Sequence, residues 1–297
     1  MLKLICPNKK IFDKKILLNY KKYFKCSFLE INQSKFEKIV HNFDIVLLRF
    51  NHFLKYKKKT KIKYILSPTT GLTHISEKFK KNSKFRIFNL KDKNFLKNIR
   101  ASSEFTLFLI LATIRKLKNI NQVNQIGNEL NDKTVGIIGL GRIGISVAKF
   151  CTLLGAKVIY FDKNKTSIYI RYKKVGLKYL LKNSDLLTIC IPSNDKNLNF
   201  LSKSKIRLLK RGSIVINTSR GEVIDEKYII SLAKKKFLYY SADVIQNEQF
   251  LKNKNYSRLN KMSNIFITKH IAGLTKESIS KTDKKIFNDF IKFYEKN

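Results

Sequence analysis

Short apolar runs alternate with amphipathic segments along most of this chain. In the amino-terminal third, the pattern predicts strands at Leu2–Cys6, Ser27–Ile31, Asp44–Arg49, Lys63–Leu66 and Phe85–Asn89. Helical spacing of apolar positions at Ile11–Tyr20 and Ser34–His41 predicts helices between the strands. Strands that alternate with helices indicate a small α/β unit.

A long apolar stretch then separates this unit from the rest of the chain. Ser102–Lys118 is apolar over a wide face, so we predict a buried helix that connects two domains and contributes to a subunit interface. Helices are also predicted at Leu177–Lys182 and Asp225–Lys235. Buried strands are predicted at Val135–Ile138, Val158–Phe161, Asp185–Ile191, Ser213–Asn217, Ser241–Val244 and Ile265–Thr268. This alternation predicts a parallel, doubly wound sheet.

A glycine-rich turn joins the first two strands of this second series. It reads Gly139-x-Gly141-x-x-Gly144, after an apolar run and before an amphipathic helix. In that context the motif indicates dinucleotide binding, since the glycines permit a tight turn, a close backbone approach to pyrophosphate and close helix packing. The start of the helix adds amide donors and partial positive charge. The predicted cofactor contacts are Gly139, Gly141, Arg142, Ile143 and Gly144.

Asp162 ends the next strand, about 20 residues beyond the glycines, where a carboxylate accepts the adenosine ribose hydroxyls. The same carboxylate would repel a 2′-phosphate, so the sequence favours NAD over NADP. Lys163 and Lys165 offer a 2′-phosphate some compensation and leave NADP as the alternative.

Composition narrows the class of protein. A chain of 297 residues with 43% hydrophobic content is long enough for two domains with separate cores. Its formal charge of +41 suggests nucleic acid or an anionic membrane as partners. However, the lysines are spread along the chain rather than gathered on one face, and the densest cluster, Lys55–Lys63, fits a solvated loop. We therefore expect a small-molecule substrate, with neither nucleic acid nor membrane as partner.

The cysteines and apolar runs exclude other classes. Cys6, Cys26, Cys151 and Cys190 form no Cys-x-x-Cys pair, so no metal site and no disulfide framework are predicted. Buried reduced thiols suit a cytoplasmic protein. The longest apolar run, near Phe105–Ile114, is shorter than the ~20 residues that cross a bilayer.

Ligands of doubly wound sheets bind beyond the carboxyl ends of the strands. The residues at those ends are chemically distinctive: Asp162, Pro192, Thr218, Ser219, Arg220, Asp243, His270 and Gly273. With Asn217–Asp225, Asp243–Glu248 and His270–Gly273 following the glycine motif in order, the chain resembles the D-isomer-specific 2-hydroxyacid dehydrogenases. That family includes phosphoglycerate, D-lactate and glycerate dehydrogenases.

The resemblance implies a catalytic trio of Arg220, Glu248 and His270. It also places Thr218, Arg220, Asp243 and Gly273 near the nicotinamide, and Pro192 and Ser219 belong to the same expected cofactor site. The chemistry agrees: an imidazole changes charge near neutral pH, a neighbouring carboxylate stabilises imidazolium, and a guanidinium binds a carboxylate in bidentate fashion. Gln249 and Lys269 stand where the family usually has prolines, which affects loop stiffness around Glu248 and His270.

On the amino-terminal side, Ser67–Leu72 occupies the place where the family presents a backbone turn to the substrate carboxylate. Thr70 and Gly71 are the expected amide donors, and an ordinary Pro-Thr-Thr-Gly turn is the alternative. Arg49 ends an apolar strand and is a candidate contact to a phosphorylated substrate. His52 and His74 are interpreted as surface or loop histidines.

The resemblance also implies the domain organisation. A smaller, discontinuous flavodoxin-like α/β domain at 1–99, completed by 275–297, would bind substrate, and a Rossmann-type domain at 100–274 would bind NAD. The expected activity is hydride transfer between a D-2-hydroxy acid and its 2-keto acid, with 3-phosphoglycerate or a related acid as substrate and a homodimer as assembly. The alternative is an NAD(H)-sensing binding protein on the same fold.

Overall fold

The computed structural model describes residues 1–117, 126–164, 172–246 and 253–296. The chain divides into two compact units by its internal contacts. Unit one comprises Met1–Ile99 and Leu274–Asn297, and unit two comprises Arg100–Gly273. The boundaries fall just before the long apolar helix and just after the last strand of unit two.

Unit one is built on a 5-stranded parallel sheet in the order β2-β1-β3-β4-β5. Its strands are β1 Lys3–Cys6, β2 Lys25–Phe28, β3 Ile45–Leu47, β4 Tyr64–Ser67 and β5 Arg86–Asn89. Its helices are α1 Lys14–Tyr20, α2 Gln33–Ile39, α3 Glu77–Lys80, α4 Lys93–Lys97 and the carboxy-terminal α11 Lys276–Tyr294. This strand order is the flavodoxin-like one.

Unit two carries a 7-stranded parallel sheet in the order β12-β11-β10-β9-β6-β7-β8. Its strands are β6 Thr134–Ile138, β7 Lys157–Phe161, β8 Lys173–Lys174, β9 Leu186–Ile189, β10 Ile214–Asn217, β11 Tyr239–Ala242 and β12 Ile265–Ile267. Its helices are α5 Ala101–Ile114, α6 Arg142–Leu153, α7 Leu177–Asn183, α8 Lys203–Ile206, α9 Glu226–Lys234 and α10 Asn253–Asn260. The predicted fold class, a Rossmann-type sheet with a smaller flavodoxin-like unit, is confirmed.

Both faces of each sheet are covered, as an all-parallel sheet requires. On β6, Val135 and Ile137 belong to one buried cluster while Ile138 belongs to the cluster on the opposite face. The buried side chains of α5, including Leu109 and Ile110, lie in the cluster beneath β6 and β10. The alternation along a central strand therefore places hydrophobic side chains in two separate layers.

Element boundaries differ from the sequence prediction mainly at edges. The strand predicted at Ser27–Ile31 is β2, Lys25–Phe28, because its pairing with β1 begins at Lys3 and Lys25. The strand predicted at Ser241–Val244 is β11, Tyr239–Ala242, which pairs with β10 from Ile214 onward. Register against a neighbouring strand, which a single segment does not reveal, sets both positions.

Within the described residues, no helix combines the length and apolar character needed to span a membrane. The same residues contain no cluster of His, Cys, Asp or Glu suited to a metal ion.

Phe290 tests how α11 is held in unit one. Its fully buried ring packs against Phe24, Tyr64 and Phe88. We expect Phe290→Ala to lower the free energy of unfolding by about 3–5 kcal/mol, because the cavity cost adds to the lost burial. Urea denaturation followed by circular dichroism measures the change. Leu18→Ala, at an exposed position on α1, is the control, and equal effects of both substitutions would contradict this packing.

Candidate active site

The carboxyl ends of the unit two strands lie at one edge of the sheet, since every recorded pair is parallel. The order of strands reverses between β6 and β9, and ligands of such sheets bind at this switch point. The polar residues that follow the strands are therefore gathered along one edge, although more than a hundred residues separate the glycine turn from His270 in sequence.

The glycine turn after β6 has the geometry that its sequence predicts. Gly139 has a φ of 90°, a conformation that glycine adopts without strain, and its amide donates to the Phe161 carbonyl at 2.8 Å. A Cβ on Gly144 would overlap the Gly139 carbonyl oxygen, so close packing of α6 on β6 requires glycine there. A Cβ on Gly141 would meet no protein atom within 4 Å. The space over Gly141 is open.

The two side chains that begin α6 are half-buried. Burial lowers the pKa of the Arg142 guanidinium from its ordinary value. Ile143 packs against the cluster beneath β6.

Asp162 lies at the end of β7, next to the glycine turn. One of its carboxylate oxygens accepts the Leu140 amide at 2.8 Å, and the other accepts the Asn164 amide at 2.9 Å. Each oxygen has two lone pairs, so the carboxylate retains acceptor capacity for hydroxyl groups. The backbone bonds hold it in one orientation beside Gly141.

A cavity of about 400 Å³ opens along this edge. It is lined in part by Gly139, Gly141, Asp162 and Pro192, with Lys163 and Lys196 among its polar side chains. Open space over a glycine at a helix start, with a fixed carboxylate at the neighbouring strand end, fits the pyrophosphate and ribose of a dinucleotide. The residues present therefore fit the predicted cofactor.

The segment after β10 is shaped by Asn217. Its side-chain oxygen accepts the Ser219 amide at 3.0 Å, and its side-chain nitrogen donates to the Arg220 carbonyl at 3.0 Å. Arg220 is half-buried, and one guanidinium nitrogen donates to the Ser219 carbonyl at 2.6 Å. Thr218 is buried, with its hydroxyl 2.7 Å from that of Thr106 on α5. This network fixes the backbone from which Arg220 projects.

His270 lies on a turn that a buried carboxylate organises. Asp243, only 1% exposed, accepts the Thr268 hydroxyl at 2.6 Å and the amides of Ile271 and Ala272 at 2.8 Å each. The His270 amide donates to the Asp243 carbonyl at 2.8 Å. Burial raises the pKa of the Asp243 carboxyl, and the Thr268 hydroxyl and the charge of His270 oppose that rise.

His270 itself has a φ of 53°, in the left-handed region that costs energy for a residue with a side chain. Four hydrogen bonds to Asp243 from the surrounding turn offset this strain. A strained conformation retained by its surroundings is common at functional sites. Gly273 follows this turn, and a Cβ there would meet no atom within 4 Å.

Glu248 lies outside the described residues. The segment that leads to it is anchored through Gln246, whose amide donates to the Glu226 carboxylate at 2.9 Å and whose side chain donates to the Ile224 carbonyl at 2.8 Å. Glu226 is buried at the start of α9. The chain at Gln246, two residues before Glu248, is therefore held by the Glu226 carboxylate, which was not predicted as a site residue from the sequence.

In unit one, the expectation that Arg49 contacts substrate does not agree with the structure. Arg49 is 4% exposed, and its terminal nitrogens donate to Asp283 at 2.6 Å, Thr282 at 2.9 Å and the Pro68 carbonyl at 3.0 Å. Its guanidinium also lies 5.1 Å from the centre of the Phe12 ring. Through these hydrogen bonds Arg49, which follows β3, links that strand to α11 and to the turn after β4.

His52 and His74 both lie in loops, as one of their two interpretations has it, but both are buried rather than at the surface. The His52 ring lies 2.8 Å from the Ile31 carbonyl, and burial lowers the pKa of that imidazole. His74 lies 3.0 Å from the Ser67 hydroxyl. Thr70, which is exposed, and Gly71, which is half-buried, lie in the turn that follows Ser67.

Several residues that position the site were not found from sequence: Thr106, Glu226, Thr268 and Asp283. Each is a polar residue in or beside an apolar segment, and this is the only sequence signal that they carry. Their partners lie between 20 and 234 residues away, so no local pattern connects them.

The buried ion pair in unit one gives a stability prediction. Burial raises the pKa of the Asp283 carboxyl to about 6, with the Arg49 charge opposing the rise. We expect Asp283→Asn to lower the free energy of unfolding by about 3–5 kcal/mol, because a buried guanidinium loses its counter-charge. The double variant Arg49→Met with Asp283→Leu should be much less destabilised. Urea denaturation of both variants measures this, and a double variant that loses as much stability as Asp283→Asn would contradict a coupled pair.

The glycines give a second, matched prediction. We expect Gly144→Ala to destabilise the protein and abolish dinucleotide binding, because its Cβ overlaps the Gly139 carbonyl oxygen. Gly141→Ala should leave the free energy of unfolding within about 0.5 kcal/mol of the parent, since no protein atom is crowded, yet weaken NADH binding. Thermal denaturation and NADH fluorescence titration separate the two effects. Equal NADH affinity in parent and Gly141→Ala would count against pyrophosphate binding there.

Comparison with known proteins agrees with this geometry. The family model "D-isomer specific 2-hydroxyacid dehydrogenase, NAD binding domain" matches residues 107–272. An aromatic 2-oxoacid reductase of Clostridium sporogenes is 30% identical over 243 residues, which cover 74% of this chain and 72% of that protein. A D-specific alpha-keto acid dehydrogenase of Enterococcus faecium is 27% identical over 256 residues, or 80% and 77% of the two chains.

The fold is shared with a solved structure as well. The D-lactate dehydrogenase of Aquifex aeolicus, complexed with NAD and lactic acid, superposes with a TM-score of 0.83 at 23% identity, covering 99% of this chain and 95% of the other. This chain therefore belongs to the D-isomer-specific 2-hydroxyacid dehydrogenases, a family of NAD-dependent oxidoreductases, and residues 107–272 are its NAD-binding domain.

Proposed function

We propose that this protein interconverts a D-2-hydroxy acid and its 2-oxo acid, with His270 as acid/base and Arg220 as the carboxylate-binding cation. The observation that carries the proposal is the turn organised by Asp243, which holds His270 in a strained conformation at the strand edge that also carries Arg220. Strands β10, β11 and β12 are neighbours at a spacing of about 5 Å. Arg220, Asp243 and His270 follow these three strands.

Each group has a defined task in the reduction. When bound, the nicotinamide supplies the hydride that adds to the carbonyl carbon. His270 supplies the proton that the carbonyl oxygen takes up, and Glu248 is proposed as the carboxylate that stabilises its protonated ring. Arg220 binds the substrate carboxylate and polarises the carbonyl, since its planar fork matches a carboxylate. In the oxidation, His270 accepts the hydroxyl proton.

The cofactor contacts are proposed from the strand edge of unit two. Gly139, Gly141, Arg142, Ile143 and Gly144 surround the pyrophosphate, and Asp162 accepts the ribose hydroxyls. The remaining proposed contacts are Pro192, Thr218, Ser219, Asp243 and Gly273. Asp243 acts through the backbone that it holds, because its buried carboxylate binds the Thr268 hydroxyl and the amides of Ile271 and Ala272.

In unit one, the amides of Thr70 and Gly71 are proposed to bind the substrate carboxylate. The burial of Arg49 bears on the substrate class, because Arg49 was the cation expected to contact a phosphate. We therefore favour an unphosphorylated 2-oxo monocarboxylic acid over 3-phosphoglycerate.

Two further properties are proposed with the activity. A homodimer is supported by Phe108, an aromatic residue of α5 that is 47% exposed beside Phe105 and Phe266. A cytoplasmic location is supported by the cysteines, since Cys6, Cys26, Cys151 and Cys190 are all free thiols.

Substitution of His270 tests the activity. We expect His270→Ala to lower the rate of NADH oxidation by 2-oxo acids by roughly 10²–10⁴-fold, because the proton donor is lost. The affinity for NADH should stay within about twofold. A panel of pyruvate, glyoxylate, phenylpyruvate, hydroxypyruvate and 3-phosphohydroxypyruvate, followed at 340 nm, measures the rates.

The control is Ile271→Ala in the same turn, where the side chain is 43% exposed and the backbone bond to Asp243 is kept. It should retain the parent rate. Undiminished activity of His270→Ala would refute the proposed proton donor. NADH binding without oxidation by any acid of the panel would instead indicate a nucleotide-sensing protein.

A further inference from the structure

The turn after β4 has all its carbonyl groups engaged. The Ser67 carbonyl accepts the Thr69 amide at 2.7 Å, and the Pro68 carbonyl accepts Arg49 at 3.0 Å. The Thr69 carbonyl accepts the Leu90 amide at 3.1 Å, and the Thr70 carbonyl accepts the Asn89 side chain at 3.4 Å. The Gly71 carbonyl accepts the Thr69 hydroxyl at 2.8 Å. A turn with so many backbone acceptors occupied is held in one conformation.

The amides of Thr70 and Gly71 differ from these carbonyls. Within the described part of the chain, neither amide has a hydrogen-bond acceptor. Thr70 is exposed and Gly71 is half-buried. Each of these amides shares its peptide group with a carbonyl that accepts a hydrogen bond, which polarises the peptide and strengthens its N–H as a donor. Two adjacent amides of this kind can bind one carboxylate.

A chain of hydroxyl groups leads to this turn from the interior. The Thr69 hydroxyl donates its one proton to the Gly71 carbonyl, so it can only accept from Ser67, 2.8 Å away. The Ser67 hydroxyl thereby uses its own proton and must accept from the Nε2 atom of His74, at 3.0 Å. Donor counting thus assigns the proton to Nε2 of His74. The chain runs in one direction, from His74 through Ser67 and Thr69 to Gly71.

We propose that Thr69, with Ser67 and His74 behind it, is a positioning residue that aims the Thr70 and Gly71 amides at the substrate carboxylate. The inference rests on the proposed function and extends it from the contacting amides to the side chains that fix them. Ser67 and His74 are buried, so this chain of donors is shielded from water and keeps its direction. Arg49 holds the same turn through the Pro68 carbonyl.

Thr69→Val removes the link while keeping the shape of the side chain. We expect the KM for the best 2-oxo acid to rise roughly tenfold, because the Gly71 carbonyl loses its donor and the amides lose their orientation. The kcat should change less than threefold, and the affinity for NADH should not change. Thr69→Ser, which keeps the hydroxyl, should restore the parent KM. Thr73→Val, at an exposed position of the same loop, is the control and should match the parent.

Hydrogen exchange provides a readout that does not depend on turnover. The Leu90 amide donates to the Thr69 carbonyl, so loosening the turn should raise the exchange rate of Leu90 about tenfold in Thr69→Val and not in Thr69→Ser or Thr73→Val. Nitrogen-15 spectra should show the Nε2-protonated form of His74 in the parent. A parent KM together with parent exchange at Leu90 in a folded Thr69→Val protein would overturn the inference.

The two readouts separate this inference from the proposed activity. If the parent binds NADH but reduces no 2-oxo acid, the proposed function fails. Leu90 exchange in Thr69→Val then still decides whether the hydroxyl chain holds the turn. If the parent is active and Thr69→Val raises the KM while Thr69→Ser does not, both conclusions stand.

Discussion

Parallel pairing governs both sheets of this protein, because a chain that returns to the same end of a sheet must cross its face between strands. The crossing helices bury both faces and leave the carboxyl ends of the strands open. Residues far apart in sequence, such as Gly141, Asp162, Arg220 and His270, therefore lie along one edge of unit two. The fold supplies this edge, and the chemistry depends on which side chains follow each strand.

Buried polar side chains hold the loops along this edge in fixed conformations. Asp243 organises the turn of His270, and Glu226 anchors the segment that precedes Glu248. In unit one, the pair of Arg49 and Asp283 joins β3, α11 and the turn after β4. Burial of a charge is unfavourable unless hydrogen bonds or a counter-charge offset it, so each of these carboxylates is surrounded by donors.

Local sequence patterns predicted the features that depend only on residues close together in the chain. The glycine motif predicted the turn after β6 because the positive φ of Gly139 and the close approach of Gly144 to the Gly139 carbonyl both involve residues close together in the chain. Asp225 caps α9 by accepting the Tyr228 amide, as its position before an apolar helix predicts. The helix predicted at Asp225–Lys235 agrees with α9, Glu226–Lys234, to within one residue at each end. Strand edges were less accurate, because pairing with a neighbour decides where β2 and β11 begin.

The sequence by itself determined the fold class, the dinucleotide turn and the set of polar residues at the strand ends, since periodicity and glycine spacing are local properties. Only the tertiary structure decided what several side chains do. Arg49 was predicted to contact substrate because it ends a strand. In the structure it is buried and bound to Asp283, which lies 234 residues away in the sequence. The same holds for His74, whose bond to Ser67 depends on how a loop folds back. Long-range partners decide whether a polar side chain is available to a ligand, and a single sequence does not reveal which residues become partners.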